Sequence, residues 1–380
     1  MIPRKFGLYL LLCLTPLTAV AGMVPKAPDI EATGYLLMDA NSGQLIVEHN
    51  VNERLPPASL TKMMTSYIAA SELHSGHISL KDKAPISVAA WKMGGSRMFI
   101  REGTDVAVED LMRGIIIQSG NDASVAMAEY IAGSEDAFAD LMNQQAARLG
   151  MNDSHFVNAT GWPADNHYSS AHDLAILARH IINDFPEHYE IYSEKSFVYN
   201  NITQQNRNLM LWRDDRVDGL KTGHTDAAGF CLVSSAKDGD MRLISVVMGT
   251  NSEQARAQET QKLLTYGFRF FETYKAYSEG DALTTVRVWM GQENELKLGP
   301  AEDLVLTIPR GNHDQLKAEM TVNPDVTAPI HKGDILGTAI IRMDGEVLLE
   351  KPLVALNDVE QAGIFKRMWH HIVRFFANLF

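Results

Sequence analysis

The sequence predicts an α+β fold: an antiparallel sheet flanked by helices, then a small all-β domain and an amphipathic C-terminal helix. Three observations predict it. Over residues 34–270, β-like runs lie before and after a long stretch of helical pattern. After about residue 276, short alternating runs replace the helical pattern. Over residues 361–380, apolar side chains return at helical spacing.

Length, charge and cysteine content limit the class of protein. The chain has 380 residues, 46% of them hydrophobic, which is enough for two domains with cores of their own. A formal net charge of −13 argues against a nucleic-acid binder, which carries a basic footprint. The two cysteines, Cys13 and Cys231, cannot form a disulfide framework, and the scattered histidines lack metal-binding spacing. We therefore expect no metal, no other cofactor and no nucleic-acid partner.

The N-terminus has the pattern of a secretory signal peptide. Arg4 and Lys5 form a positive region, residues 6–14 are apolar, and Ala19-Val20-Ala21 is a small-residue cleavage site. The apolar run is too short to span about 30 Å of hydrocarbon as an anchor. We expect residues 1–21 to be removed and the mature protein to work outside the cytoplasm.

The first domain is expected over residues 28–276 and opens with a β-hairpin around the turn Asn41-Ser42-Gly43. A helical pattern begins at Pro57, and Ser170 is placed to cap a later helix. The predicted helices cover residues 57–70, 108–117, 123–132 and 171–181. Three β-like runs follow at residues 217–221, 229–236 and 242–248, and a last helix carries residues 263–270. This order favours an antiparallel sheet packed with helices over a doubly wound α/β array.

A second, all-β domain is expected over residues 280–358, with the boundary near Tyr277–Gly280. Gly, Asn, Asp and Pro clusters separate its short runs. These runs lie at residues 286–289, 304–308, 335–341 and 347–356.

Residues 361–380 form the predicted amphipathic helix. Trp, Phe and aliphatic residues share one face, basic residues and histidines the other, and no acid follows Glu360. Such a helix suits an interface with anionic lipids, and its charges make it a poor transmembrane span. The alternative is a helix docked on the protein or paired with a partner. We expect peripheral attachment to the periplasmic face of the inner membrane.

Three short motifs carry the chemistry. They are Ser59-Leu60-Thr61-Lys62, Ser119-Gly120-Asn121 and Lys221-Thr222-Gly223. A serine hydroxyl needs a base to act as a nucleophile, and on a helix Lys62 lies one turn from Ser59. Burial and a nearby cation, such as Lys221, would keep the Lys62 amine neutral enough to accept the proton.

The other two motifs complete the expected site. Ser119 would pass a proton to the leaving group, and Asn121 would hold a substrate carbonyl. Lys221 supplies charge and Thr222 a hydroxyl, while Gly223 removes a side chain at a strand edge where an extended peptide could lie. The backbone N–H groups of Ser59 and His224 are candidates for an oxyanion hole. Taken singly, each motif also has an ordinary structural interpretation, and the conjunction of all three in order is the specific signal.

With their neighbours, these motifs resemble the D-alanyl-D-alanine carboxypeptidases of the low-molecular-mass penicillin-binding protein 5/6 type. The matching stretches are residues 57–62, 118–123, 217–225, 241–249 and 266–273. The resemblance implies removal of the terminal D-Ala from peptidoglycan pentapeptides through an acyl-enzyme on Ser59. It also implies acylation by β-lactams, and by motif match it places Arg256 at the substrate carboxylate.

Two rival functions remain open at this stage. A serine β-lactamase would need a deacylation base such as a glutamate, and residues 156–168 offer no convincing equivalent. A non-catalytic, membrane-attached binding protein would not need all the motif residues. Each rival function predicts a response to penicillin and to pentapeptide that differs from the response expected of a carboxypeptidase.

Overall fold

The computed structural model describes residues 24–377, with side-chain surroundings described as far as residue 374. The predicted signal peptide, residues 1–21, lies outside the described residues. The strands are β1 (Gly34–Asp39), β2 (Leu45–His49), β3 (Lys83–Pro85), β4 (Asp105–Ala107), β5 (Ser196–Tyr199), β6 (Ile202–Gln205), β7 (Val217–Thr225), β8 (Gly229–Asp238), β9 (Met241–Thr250), β10 (Phe271–Tyr277), β11 (Thr284–Arg287), β12 (Glu295–Pro300), β13 (Leu304–Pro309), β14 (Lys317–Val322), β15 (Ile335–Met343) and β16 (Glu346–Ala355). The α-helices are α1 (Lys62–His74), α2 (Val88–Lys92), α3 (Val108–Ile116), α4 (Asn121–Ala132), α5 (Glu135–Leu149), α6 (Ala171–Asp184), α7 (Pro186–Tyr189), α8 (Met210–Arg213), α9 (Glu253–Phe270) and α10 (Ile364–Ala377).

A five-stranded antiparallel sheet in the order β2-β1-β9-β8-β7 forms the centre of the first unit. Successive side chains of a strand point to opposite faces, so the sheet contributes side chains to two hydrophobic cores, one on each face. Leu36 and Met38 pack with helices α1, α3, α4 and α6, whereas Leu37 packs with α9 on the other face. The predicted α+β class is confirmed, and strand β7 lies at an edge of the sheet.

The predicted helices and strands are present, most of them longer than their sequence patterns. The Asp238-Gly239 turn joins β8 to β9, with Gly239 at φ 58° where a side chain would be strained. Ser170 caps α6 by accepting from the N–H of Asp173. The Asp173 carboxylate does not return this bond, because it accepts from Ser154 and from the N–H of Asp153. The capping box is therefore only half formed.

The second unit is all-β, as predicted. Its five-stranded sheet has the order β11-β12-β16-β15-β14, and buried apolar residues such as Val288, Leu298 and Leu353 form its core. Strand β10 pairs antiparallel with β13, not with the first sheet. Residues 271–277 thus join the second unit by hydrogen bonding, although the sequence pattern placed them before the boundary.

Helix α10 follows the second unit. His370, 7% exposed, anchors it: its Nδ1 accepts from the N–H of Met290 at 2.7 Å, and its ring packs edge-on against Trp289. Between residues 24 and 377, none of the helices has the length and apolarity needed to cross a bilayer.

Candidate active site

Ser59 lies in a single 3-10 turn, Ala58–Thr61, that leads directly into helix α1. Because Lys62 is the first residue of the α-helix that follows the turn, the side chains of Ser59 and Lys62 project from successive turns of one continuous helical segment. The Lys62 Nζ lies 3.2 Å from the Ser59 Oγ. The helical spacing predicted from the first motif is therefore present.

The surroundings of Lys62 favour a neutral amine. Its side chain is 1% exposed, and burial, with a contribution from the Arg207 charge, lowers its pKa to about 7. Nζ also lies 2.7 Å from Asn121 Oδ1 and 2.6 Å from the Thr160 carbonyl oxygen. Both of those oxygens only accept, so a neutral amine donates its two hydrogens to them. The remaining lone pair is then free to accept the Ser59 hydroxyl proton.

The second motif connects helices α3 and α4. Ser119 adopts φ 63° in this connection, and its Oγ lies 2.9 Å from the Lys221 Nζ. Asn121 is already the first residue of α4, two residues before the predicted start. Besides accepting from Lys62, its amide donates to the Gly94 carbonyl at 2.8 Å. Asn121 thus ties the Lys62 amine to the segment opposite it.

The third motif lies on β7, the edge strand. The structure shows why residue 223 must be a glycine. A Cβ at this position would lie only 2.9 Å from the carbonyl oxygen of Pro57, next to the turn that carries Ser59. Strand β7 therefore packs directly against Pro57, the residue that precedes the turn carrying Ser59. Burial, with the charges of Lys62 and Arg207, lowers the pKa of Lys221 well below its usual value. Among the charged groups that act on Lys62, Asp122 raises its pKa, and Arg207, not the predicted Lys221, is the cation that lowers it.

One cavity of about 540 Å³ joins the three motifs. Ser59, Ser119, Asn121, Thr222, Gly223, His224 and Arg256 all line it. Arg256, only 3% exposed, donates to the Gly223 carbonyl at 3.2 Å and forms an ion pair with Glu253. The His224 ring stacks on Phe230 with the centroids 3.9 Å apart. The structure thus brings every predicted site residue to one place, with Lys62 and Lys221 behind the two serines; their individual roles stay predictions.

Comparison with known proteins decides the family. A model of the D-alanyl-D-alanine carboxypeptidases matches residues 21–252, and a model of the penicillin-binding protein 5 C-terminal domain matches residues 271–361. The chain belongs to the D-alanyl-D-alanine carboxypeptidase family.

Individual relatives of this family cover nearly the whole chain. The D-alanyl-D-alanine carboxypeptidase DacC of Escherichia coli K12 is 42% identical, over 98% of this chain and 96% of its own length. Penicillin-binding protein 5 of Haemophilus influenzae has a similar structure, with a TM-score of 0.86 and 43% identity over 90% of this chain and all (100%) of that one. Penicillin-binding protein D2 of Listeria monocytogenes, solved in its ampicillin-bound form, matches 63% of this chain and 100% of its own at 28% identity and a TM-score of 0.59.

Sequence reasoning missed two parts of this carboxypeptidase-family site. Arg207 lines the cavity from the connection between β6 and α8, where no pattern marks it among the other arginines. Trp162 lines it from the loop 158–163, whose shape depends on Asn158: its Oδ1 accepts from the N–H groups of residues 160, 161 and 162. The clustered Asn, Thr, Gly and Pro of this loop were a usable turn signal.

Two further observations concern groups away from the reaction. Cys231 is fully buried in β8, and burial raises the pKa of its thiol to about 11, which leaves it unreactive. In the part of the chain that the structure describes, no group of three or more His, Cys, Asp and Glu side chains could hold a metal ion.

Proposed function

We propose that this protein removes the terminal D-alanine from peptidoglycan pentapeptides through an acyl-enzyme on Ser59. One observation carries the proposal: the buried Lys62 Nζ lies 3.2 Å from the Ser59 Oγ while two acceptor oxygens occupy its other hydrogens. This arrangement prepares the amine as a general base for the hydroxyl.

The proposed acylation starts with attack of the Ser59 Oγ on the carbonyl carbon of the penultimate D-alanine. The hydroxyl proton passes to the Lys62 Nζ, and the N–H groups of Ser59 and His224 stabilise the oxyanion. The peptide bond then breaks, and the departing D-alanine nitrogen takes a proton through Ser119, whose Oγ lies 2.9 Å from the Lys221 Nζ. Water hydrolyses the ester in the reverse sequence of proton transfers.

Three groups would bind the substrate's free carboxylate in the cavity. Arg256 and Thr222 line the cavity, and the Lys221 Nζ donates to the Thr222 carbonyl at 3.0 Å. An arriving carboxylate raises the pKa of Lys221 and so favours its charged form. A C-terminal residue is thereby preferred over an internal one, as a carboxypeptidase requires.

The same site would be acylated and inhibited by β-lactams. In a β-lactam, the leaving nitrogen stays tethered to the acyl group, so it remains in the cavity and hinders the hydrolytic water. The ampicillin-bound form of the Listeria neighbour supports this proposal. A serine β-lactamase is less well supported, because Asp165 is the only acid in residues 156–168 and it does not line the cavity.

We place the protein on the outer face of the inner membrane, bound peripherally through residues 361–380. Helix α10 directs apolar side chains away from the protein: Phe365 is 90% exposed, Trp369 63% and Ile372 48%. On its other side, Lys366 donates to the Gln292 carbonyl. The exposed apolar face, flanked by basic residues, supports binding to anionic lipid. Such a position suits an enzyme that trims cell-wall peptides and so helps to maintain cell shape.

The test uses fluorescent penicillin and a pentapeptide on the same preparations. We expect the Ser59→Ala variant to lose both labelling and D-alanine release, while Ser96→Ala, a serine of the same cavity, keeps both. Labelling of Ser59→Ala would refute the assigned nucleophile. Rapid cephalosporin turnover without D-alanine release would show a β-lactamase, and an unlabelled wild type would show a non-catalytic protein.

A further inference from the structure

A second cleft, of about 280 Å³, lies beside the active-site cavity. The segment 94–100 forms a wall of both: Gly95 and Ser96 line the cavity, and Arg97 and Phe99 line the cleft. Trp91, Arg101 and the β5–β6 hairpin complete the cleft. Whatever binds there is therefore separated from the reaction by a single stretch of chain.

The shape of this cleft is set without a ligand. The Asp122 carboxylate accepts from the N–H groups of Met98 and Phe99 at 2.9 Å and of Ile100 at 3.3 Å. From the hairpin, the Gln204 side chain donates to the Met98 carbonyl, and the Asn200 side chain to that of Phe99. Preorganised walls lower the entropy cost of binding.

The cleft carries positive charge that the protein itself does not use. Arg97 and Arg101 are exposed, and within residues 24–374 neither forms an ion pair with a carboxylate. Arg97 lies over the Phe99 ring, which fixes the guanidinium at the rim. The Asp122 carboxylate also lines the cleft, but it accepts from three backbone N–H groups. In a chain with a net charge of −13, the two arginines therefore form a local excess of positive charge that suits an anion.

Large apolar groups surround the two guanidinium groups. Trp91 is 38% exposed, Phe99 43% and Ile202 40%, and all three line the cleft. Planar guanidinium groups bind carboxylates in a bidentate manner, and the flat apolar surfaces suit the aliphatic parts of a peptide. The chemistry of the cleft thus fits a carboxylate-bearing peptide.

We propose that this cleft binds the acidic stem of the peptidoglycan peptide, remote from the D-alanine end that reacts at Ser59. The proposal rests on the proposed function. Stem peptides carry free carboxylates, an extended pentapeptide reaches roughly 17 Å, and only the segment 94–100 separates the cleft from the cavity. The cleft therefore selects long, acidic substrates over short, uncharged ones.

The experiment compares two substrates: a muropeptide pentapeptide and the short diacetyl-L-Lys-D-Ala-D-Ala, which lacks stem carboxylates. We expect the Arg97→Gln/Arg101→Gln variant to lose about tenfold in kcat/KM on the muropeptide and less than about twofold on the short peptide. Arg148→Gln, an exposed arginine of α5, is the control and is expected to change neither value. Added salt should reduce the wild-type preference for the muropeptide, but not that of the variant.

The outcomes separate the two proposals. Equal losses on both substrates, with slower penicillin acylation, would show that the arginines only hold the wall in place and would overturn the inference. No loss on either substrate would also overturn it while leaving the proposed function intact. A wild type that releases D-alanine from neither substrate would overturn the proposed function and, with it, the inference.

Discussion

At the scale of single residues, the burial of Lys62 has a cost in stability, and under the proposed mechanism it also has a catalytic gain. Its folded-state pKa of about 7 lies below the usual value of 10.5 because the amine is buried. Between these two values the unfolded chain binds more protons than the folded protein, so its contribution to stability rises with pH. At neutral pH the buried amine therefore opposes folding. In the proposed mechanism only a neutral amine can take the Ser59 proton, so the burial that costs stability also prepares the base.

The same pKa predicts a pH profile for acylation. The amine is neutral above about pH 7, so the second-order rate constant for penicillin acylation should rise with pH and level off near pH 8. At pH 5 we expect it to be about a hundredfold lower than on the plateau. Burial lowers the pKa of His167 to about 4, so the titration of this histidine cannot cause the rise in rate between pH 5 and pH 8. A rate that stays flat from pH 5 to pH 8 would contradict the role of Lys62.

At the scale of single elements, the loop 158–163 packs against Lys62. Its Thr160 carbonyl accepts from Lys62, and Gly161 adopts φ +79° against the nucleophile's turn. A Cβ on Gly161 would lie 1.7 Å from the Ala58 carbonyl oxygen, a distance that the backbone cannot accommodate without moving. A side chain at residue 161 would therefore displace the loop, the Ser59 turn or both.

This close approach predicts that Gly161→Ala will slow penicillin acylation by at least about tenfold, because the turn that carries Ser59 must move. The matched control is Gly133→Ala, which has a similar φ of +81° and no atom within 4 Å of the added Cβ. The control should lose only about 1 kcal/mol of stability and keep its acylation rate. Comparable rates for the two variants would show that the contact does not position the nucleophile.

At the scale of the whole molecule, Asp39 joins the two units. Its fully buried carboxylate accepts from Thr273 at 2.6 Å and Thr307 at 2.8 Å, both in the second unit. It also accepts from the N–H of Asn41 within the first. A buried carboxylate must be hydrogen-bonded, so the junction between the two units depends on these particular donors to Asp39.

We expect Thr307→Val to lower the free energy of unfolding by about 1–3 kcal/mol, because Asp39 loses a donor in a buried place. The acylation rate should not change, because Thr307 does not line the reaction cavity. Urea unfolding followed by tryptophan fluorescence measures the first quantity. Thr321→Val, at an exposed position of β14, is the control. Equal stability of the two variants would count against the junction.

The membrane proposal also belongs to this scale. We expect Phe365→Glu/Trp369→Glu to abolish co-sedimentation with vesicles containing anionic lipid, because charge on the exposed face of α10 opposes insertion. Trp212→Glu changes an exposed tryptophan of the first unit, 45% exposed, and should bind as the wild type does. Removal of residues 361–380 should release the protein and leave its soluble activity nearly intact. Undiminished binding of the double variant would refute the anchor.

Local sequence patterns predicted most of the helices and strands. They failed where a strand pairs with a segment that is distant in the chain. The helix after Pro57 and the three strands of the third motif's region followed from spacing and turn residues alone. Strand β10 did not, because its partner β13 lies about thirty residues further along the chain. The short hairpin β5–β6 was also missed, although Asn200 and Asn201 both take positive φ in its turn.

The sequence by itself determined the chemistry: a serine, an amine one helical turn away, and two further motifs in the right order. Those relations are local or depend on residue type, so they can be recognised without a fold. Only the tertiary structure decided which groups tune that chemistry. The charge of Arg207 lowers the Lys62 pKa, and Gly223 allows strand β7 to pack against the segment that carries Ser59, although these segments are remote in the chain. Burial and distance set both effects, and neither quantity exists before the chain is folded.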